Sequence, residues 1–340
     1  MYLMRARTDS GLRWPVMSQI AFVFPGQGSQ YVGMGRALAE SSPEAAAVFA
    51  TADAALGEPI SRLAWEGPEE DLNRTENSQP ALLAASIAYL EVVRARWAQL
   101  GIDSPEPAFA AGHSMGQYTA LVATGALDLA DAVRLVRRRG QLMQASGVGR
   151  EGRMAALIGL DDARLPELVA RAGEHGVFGV ANRNSPGQVV VSGEHAAVEA
   201  SLAIAKELGA KRAIELPVSV AAHSPLMAEA AAGMAAVLET ITFHDPQPPL
   251  LANADSRPLT TADACRAELV DHLTTGVDWV GAIEAMRAHG VTTFIEIGPG
   301  QVLTGLIKRI APDAVALATD DKAAADRLAI PFADTAAVDG

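Results

Sequence analysis

Ser114 stands in Gly112-His113-Ser114-Met115-Gly116, a G-x-S-x-G pattern between the apolar run Ala108–His113 and a helix-like stretch reaching Val122. A serine on a tight strand-to-helix turn is forced outward. The flanking glycines leave room for the turn, and the following helix N-terminus favours developing negative charge. This is nucleophile chemistry, and a serine hydroxyl needs a base. His223 closes the apolar run Pro217–Ala222 just before a helix, in a loop beyond a strand end where sites on α/β sheets collect. His113 is the alternative, although its place on the strand side of the serine should point it away. An oxyanion would need N–H donors, from Met115 after the nucleophile and from Gly26-Gln27-Gly28. Plainer uses exist: a cap or surface position for His223, and a tight turn for the glycines.

The elements that must position these residues are legible as alternating patterns. Gln19–Phe24 reads as a short buried strand running into the glycine turn. Helices are expected at Pro43–Leu56, at Pro80–Leu100 with the proline in its first turn, and at Leu129–Ala145, whose apolar stripe leaves Arg134, Arg137, Arg138 and Arg139 on the other sides. The middle segment reads β-α-β-β-α-β, with strands at Met154–Ile158, Val177–Asn182, Gln188–Ser192 and Lys211–Leu216 and helices at Asp161–Ala172 and Glu194–Leu208. That order is ferredoxin-like. Alternation then resumes with a strand at Leu250–Ala252, helices at Ala262–Leu273 and Trp279–His289, the strand Thr293–Ile297, and a helix through Ile310. The fold class expected is α/β, a mainly parallel sheet covered on both faces plus an inserted subdomain. Residues 19–147 and 216–312 form the large part, residues 148–215 the insert, and residues 1–18 and 313–340 are terminal extensions. The tail after Ala311 reads as weakly ordered, and Met17 as the natural initiator.

Bulk properties exclude several classes. With 340 residues and 49% hydrophobic content the chain can bury a full core, and 20% charged content argues against disorder. A formal net charge of −13 argues against a nucleic-acid partner. The single cysteine, Cys265, points to a reducing cytoplasm, and no Cys/His spacing suggests a metal. The best apolar stretch, Pro80–Val93, contains Glu91 and falls short of the ~20 residues of a membrane span.

Phe24-Pro25-Gly26-Gln27-Gly28-Ser29-Gln30, the Ser114 motif, Arg139-Gly140, Asn184-Ser185-Pro186-Gly187-Gln188, Ala222-His223-Ser224 and Glu296-Ile297-Gly298-Pro299-Gly300 occur in this order. Together they strongly resemble malonyl-CoA:acyl carrier protein transacylases, with polyketide synthase acyltransferase domains as more distant relatives. The resemblance runs from about Gln19 to about Ile310 and implies an α/β-hydrolase-like core. It implies that Ser114 is acylated by malonyl-CoA, that His223 is its base, and that Gln27 and Met115 supply the oxyanion N–H groups. It gives Arg139 the free carboxylate of malonate, which a guanidinium fork matches and a lysine would not. By the same resemblance a backbone carbonyl at His272 orients His223, and Ala222, Gln117 and Asn184 border the acyl pocket. Malonyl-CoA is then a substrate, no cofactor is bound, and the partner is an acyl carrier protein reached through its phosphopantetheine arm.

Three positions depart from the family pattern: His272 where relatives often carry Gln or Asn, Gln117 where Glu is common, and Ala222 where Ser or Phe is common. The space beside Ala222 leaves tolerance of methylmalonyl groups open, as in a trans-acting polyketide acyltransferase. A serine thioesterase or hydrolase is a rival, with Asp128, Asp131 or Asp161 as the acid, and a non-catalytic carrier-protein binding module is another. Docking of an acidic carrier needs a local basic surface, for which Arg137, Arg138, Lys206, Lys211 and Arg212 are candidates.

Overall fold

The computed structural model describes residues 19–101, 106–146, 152–218, 220–320 and 328. The expectations for residues 1–18, for the first residues of the insert and for most of the C-terminal tail lie outside them. The strands in chain order are β1 (Gln19–Phe24), β2 (Phe109–Gly112), β3 (Gly152–Ile158), β4 (Phe178–Ser185), β5 (Gln188–Glu194), β6 (Arg212–Glu215), β7 (Leu250–Leu251), β8 (Pro258–Leu259), β9 (Val277–Asp278), β10 (Val291–Glu296) and β11 (Val315–Ala318).

Six of them form a sheet in the order β11-β10-β1-β2-β7-β8, parallel except for the edge pair β7–β8. β1 is apolar on both faces because helices cover both sides, so its burial is nearly continuous rather than alternating. One face packs on a large cluster that includes Phe22, Phe24, Leu83, Leu121 and Leu135. The other packs on Val23, Trp279, Ile283, Phe294 and Ile307. No described helix is long and apolar enough to cross a membrane.

The middle segment builds an antiparallel sheet in the order β6-β3-β5-β4, with β9 from later in the chain added parallel to β4. Its helices, Leu165–Gly173 and His195–Glu207, cover one face through Leu157, Leu168, Val191 and Val198. The opposite face, Met154, Ala181 and Val190, packs against Ala222. Arg183 of β4 reaches both oxygens of Asp278, at 2.9 and 2.8 Å, and so fixes where β9 joins.

Two expectations need correction. The helix placed at Pro80–Leu100 begins at Thr75, with Pro80 inside it. The lost N–H of Pro80 falls close enough to the start that the turn before it still closes, through Asn77 and Ser78 N–H donating to Arg74 O. The terminal extension is also not wholly peripheral. Val315–Ala318 adds a parallel strand beside β10, and Asp320 accepts from Tyr31 (2.9 Å), Tyr89 and the Gly300 N–H (2.7 Å). An Ala-rich strand carries little sequence signal because its pairing partner, not its own propensity, orders it.

Candidate active site

The helix Gly116–Ala123 follows β2 directly, and the glycines of the motif are there because two backbones nearly touch. A Cβ on Gly112 would lie 1.9 Å from the Gly116 carbonyl carbon, and one on Gly116 would lie 2.3 Å from Phe24 O. Ser114, half-buried between them, is held at φ 52°. That left-handed conformation costs a side-chain-bearing residue roughly 1–2 kcal/mol. The cost is met by Asn253, just past the C-terminal end of β7. Its Oδ1 accepts from Ser114 N–H at 2.9 Å and its Nδ2 donates to Gly112 O at 3.0 Å, so one side chain clamps both arms of the turn. Buried Glu268 accepts from Asn253 N–H at 2.6 Å, and burial pushes its carboxyl up to about 7.

His223 is 5% exposed and is the second strained residue, at φ 59°. Its Nε2 lies 2.8 Å from Ser114 Oγ and its Nδ1 lies 2.7 Å from His272 O. A carbonyl can only accept, so Nδ1 carries the proton and Nε2 is left to accept from the serine hydroxyl. Burial first, and the nearby charge of Arg139 second, pull the imidazole down to about 3, which keeps it neutral. His113 is turned elsewhere: its Nε2 meets Asn184 Oδ1 at 2.8 Å, and its ring lies against Trp279.

Arg139 is 1% exposed on the helix Leu129–Ser146. Its neighbour Gly140 explains how it gets there. A Cβ at 140 would stand 2.5 Å from the Glu76 Cα, so the glycine lets this helix press against the start of Thr75–Gln99. Gln79, one turn on, then accepts from Arg139 Nη1 at 3.0 Å. Nη2 donates to Ser114 Oγ at 3.1 Å and lies 3.3 Å from His272 Nε2, and the guanidinium sits over the Tyr118 ring at 5.9 Å. Burial lowers its pKa, yet a guanidinium stays charged. Among the described residues no carboxylate pairs with it. A buried cation without a counter-charge is costly unless an anion joins it.

The remaining expected site residues divide. The loop of Gln27 lies against the serine turn, since a Cβ on Gly26 would be 2.5 Å from His113 O; Gln27 itself is exposed and its Nε2 donates to Thr75 Oγ1 at 3.2 Å. Met115 is buried at the head of the helix, where N–H groups have no intrahelical partner. Ala222 is half-buried between the main core and the face of the small sheet. Gln117 is fully buried, its amide accepting from Gly112 N–H at 3.2 Å and donating to Leu251 O at 2.9 Å, so it stitches β2 to β7. Asn184 likewise spends its carbonyl oxygen on His113. Asn253, Glu268, Gln79 and Tyr118 escaped the sequence reading. Only Asn253 carried a signal, its place at the carboxyl end of a parallel strand.

Comparison with known proteins gives a consistent result. The acyl transferase domain family matches residues 21–323. The malonyl CoA-acyl carrier protein transacylase of Escherichia coli (strain K12) is 48% identical over 308 residues, covering 91% of this chain and 98% of that one. That of Bacillus subtilis (strain 168) is 45% identical over 295 residues, covering 86% and 91%. An acyl carrier protein S-malonyltransferase structure from Vibrio cholerae superposes with a TM-score of 0.85 at 45% identity, covering 91% of this chain and 99% of that one. A malonyl-transacylase solved in complex with its type II polyketide synthase acyl-carrier protein gives 0.85 at 43% identity, covering 92% and 99%.

Proposed function

The chain belongs to the acyl transferase domain family, and from that premise we propose how its site works as an acyl carrier protein S-malonyltransferase. The enzyme moves a malonyl group from malonyl-CoA to the phosphopantetheine thiol of an acyl carrier protein. The observation that carries the site assignment is the buried, uncompensated guanidinium of Arg139 at 3.1 Å from Ser114 Oγ. It supplies the anion site that a dicarboxylic acyl group fills and a plain acyl group does not.

In this reading Ser114 Oγ attacks the thioester carbonyl while His223 Nε2 takes the hydroxyl proton. The backbone N–H groups of Met115 and Gln27 hold the resulting oxyanion; Ser114 N–H is already committed to Asn253. The tetrahedral intermediate collapses, the C–S bond breaks, and His223 returns its proton to the coenzyme A thiolate. His272 O holds the imidazole in the required tautomer throughout. The carrier thiol then reverses the steps on the malonyl-serine ester, a ping-pong course. The chemistry needs no cofactor, and we place it in the cytoplasm. Of the basic residues considered for carrier docking, Arg137 is taken up by Glu58 and Asn77, whereas Arg138, Lys206, Lys211 and Arg212 are exposed.

Intact-protein mass spectrometry after mixing with a panel of acyl-CoAs tests the proposal. A malonyl mass gain that persists in water, disappears on adding holo carrier protein and is absent in S114A is expected. A label on S114A, or loss to water as fast as to the carrier, would point instead to another nucleophile or to a hydrolase.

A further inference from the structure

We infer that the imidazole of His272, and not only its backbone carbonyl, is a positioning group for acid-bearing acyl substrates: its Nε2 accepts from Arg139 Nη2 and, with Gln79, holds the guanidinium at Ser114 without neutralising it. The inference rests on the reading that Arg139 binds the malonyl carboxylate.

A guanidinium has only donors, so the nitrogen of His272 that faces it at 3.3 Å must be the one bearing the lone pair, and the ring proton sits on Nδ1. Gln79 Oε1 performs the same service at Nη1. Both acceptors are uncharged. A carboxylate at either place would form a buried ion pair with Arg139 and compete with the substrate's own acid group. Neutral acceptors fix the direction of the fork and leave its charge for the ligand.

The ring is itself held. His272 is fully buried, its imidazole stands edge-on to Tyr118 with centroids 6.2 Å apart and planes at 83°, and the Arg139 guanidinium lies over the same tyrosine. Arg139, Tyr118 and His272 therefore form one packed corner in which moving any member moves the fork. Meanwhile the carbonyl of His272 sets the tautomer of His223. One residue thus addresses the base through its backbone and the carboxylate clamp through its side chain.

The test compares the wild type with H272Q, H272F, H272L and R139A in single-turnover labelling by malonyl-CoA and by acetyl-CoA, read by intact mass. Acetyl transfer uses Ser114 and His223 but offers no carboxylate, so it reports a folded, working nucleophile in each variant. H272F keeps an aromatic ring against Tyr118 but lacks the acceptor. It should lower malonyl-over-acetyl selectivity about tenfold or more, through a higher KM for malonyl-CoA, as H272L should. H272Q restores an acceptor and should stay within about threefold of the wild type. The inference is overturned if H272F and H272L keep wild-type selectivity while R139A loses it, or if all His272 variants lose both substrates equally, which marks a structural role alone. If R139A also keeps its selectivity, the Arg139 reading falls and takes this one with it.

Discussion

Arg139 Nη2 and the Oγ of Ser114 are 3.1 Å apart, and the same hydroxyl lies 2.8 Å from His223 Nε2. The nucleophile therefore sits between a fixed cation and a neutral base, and the two influence each other.

That coupling predicts an unusual pH profile. The His223 pKa is depressed to about 3, by burial first and Arg139 second. Its neutral, proton-accepting form therefore persists well below the ~6.5 of an ordinary histidine. Single-turnover malonylation should stay level from about pH 7.5 down to about pH 5. R139A removes the second cause, so the acid limb should move up in pH. A wild-type inflection near pH 6.5 would contradict this. Stability changes in the same direction but over a higher window: between about 6.5 and about 3 the unfolded chain takes up a proton that native His223 refuses, so this group's contribution is lost as pH falls.

Asn253 gives a second prediction. N253A leaves Ser114 N–H and Gly112 O without their partner, which should cost about 1–3 kcal/mol in stability and lower kcat for acylation by loosening the serine turn. N253D keeps the acceptor but turns a second oxygen toward Gly112 O, and should therefore be no better than the alanine. Urea unfolding and single-turnover labelling measure the two effects; an N253D protein with wild-type kcat would dismiss the clamp.

A third concerns Glu296, fully buried at the end of β10. Its two oxygens accept from Leu303 and Thr304 N–H at 3.0 and 2.7 Å, capping the helix Val302–Ile310 from outside the helix. Burial raises its pKa from 4.5 to about 7. A carboxyl raised in the folded state stabilises fully below its unfolded pKa and loses that contribution as pH rises through its folded one. The stability of the wild type relative to E296Q should therefore fall between about pH 4.5 and pH 7, by up to ~3 kcal/mol. Thermal melts of both proteins across this range decide it; a constant difference would refute the assignment.

Carrier docking supplies the fourth. Lys211 and Arg212 are exposed at the start of β6, an edge strand of the small sheet. The K211E/R212E double variant should raise KM for the carrier protein severalfold and leave KM for malonyl-CoA unchanged, with the difference shrinking in high salt. Unchanged carrier KM would remove this surface from consideration.

Much of the architecture was legible because it is local. β1 and β5 announce themselves as apolar runs bounded by turn residues. The helix Pro43–Leu56 carries its own start and stop, Ser42 accepting from Ala45 N–H and Gly57 closing it at φ 69°. Where local signals conflict with tertiary ones the reading failed. Pro80 suggested a helix start although the helix begins at Thr75, and Val315–Ala318 showed no strand signal because β10 supplies its order.

The site divides the same way. The chain's own residue order marked the serine turn, where Gly112 packs on Gly116 four positions on, and it singled out Ser114 with His223 as its base; Arg139 entered only through the family resemblance, and the contact that demands Gly116, with Phe24 O, belongs to the tertiary fold. The mutual geometry of Ser114, His223 and Arg139, and the parts played by Asn253, Gln79, Tyr118 and the His272 ring, were decided only by tertiary structure. Asn253 lies 139 positions from the serine it clamps, and Gln79 lies 60 from the arginine it orients. No periodicity links such pairs, because what brings them together is the packing of helices and strands whose apolar faces are indifferent to which polar side chain they carry into contact.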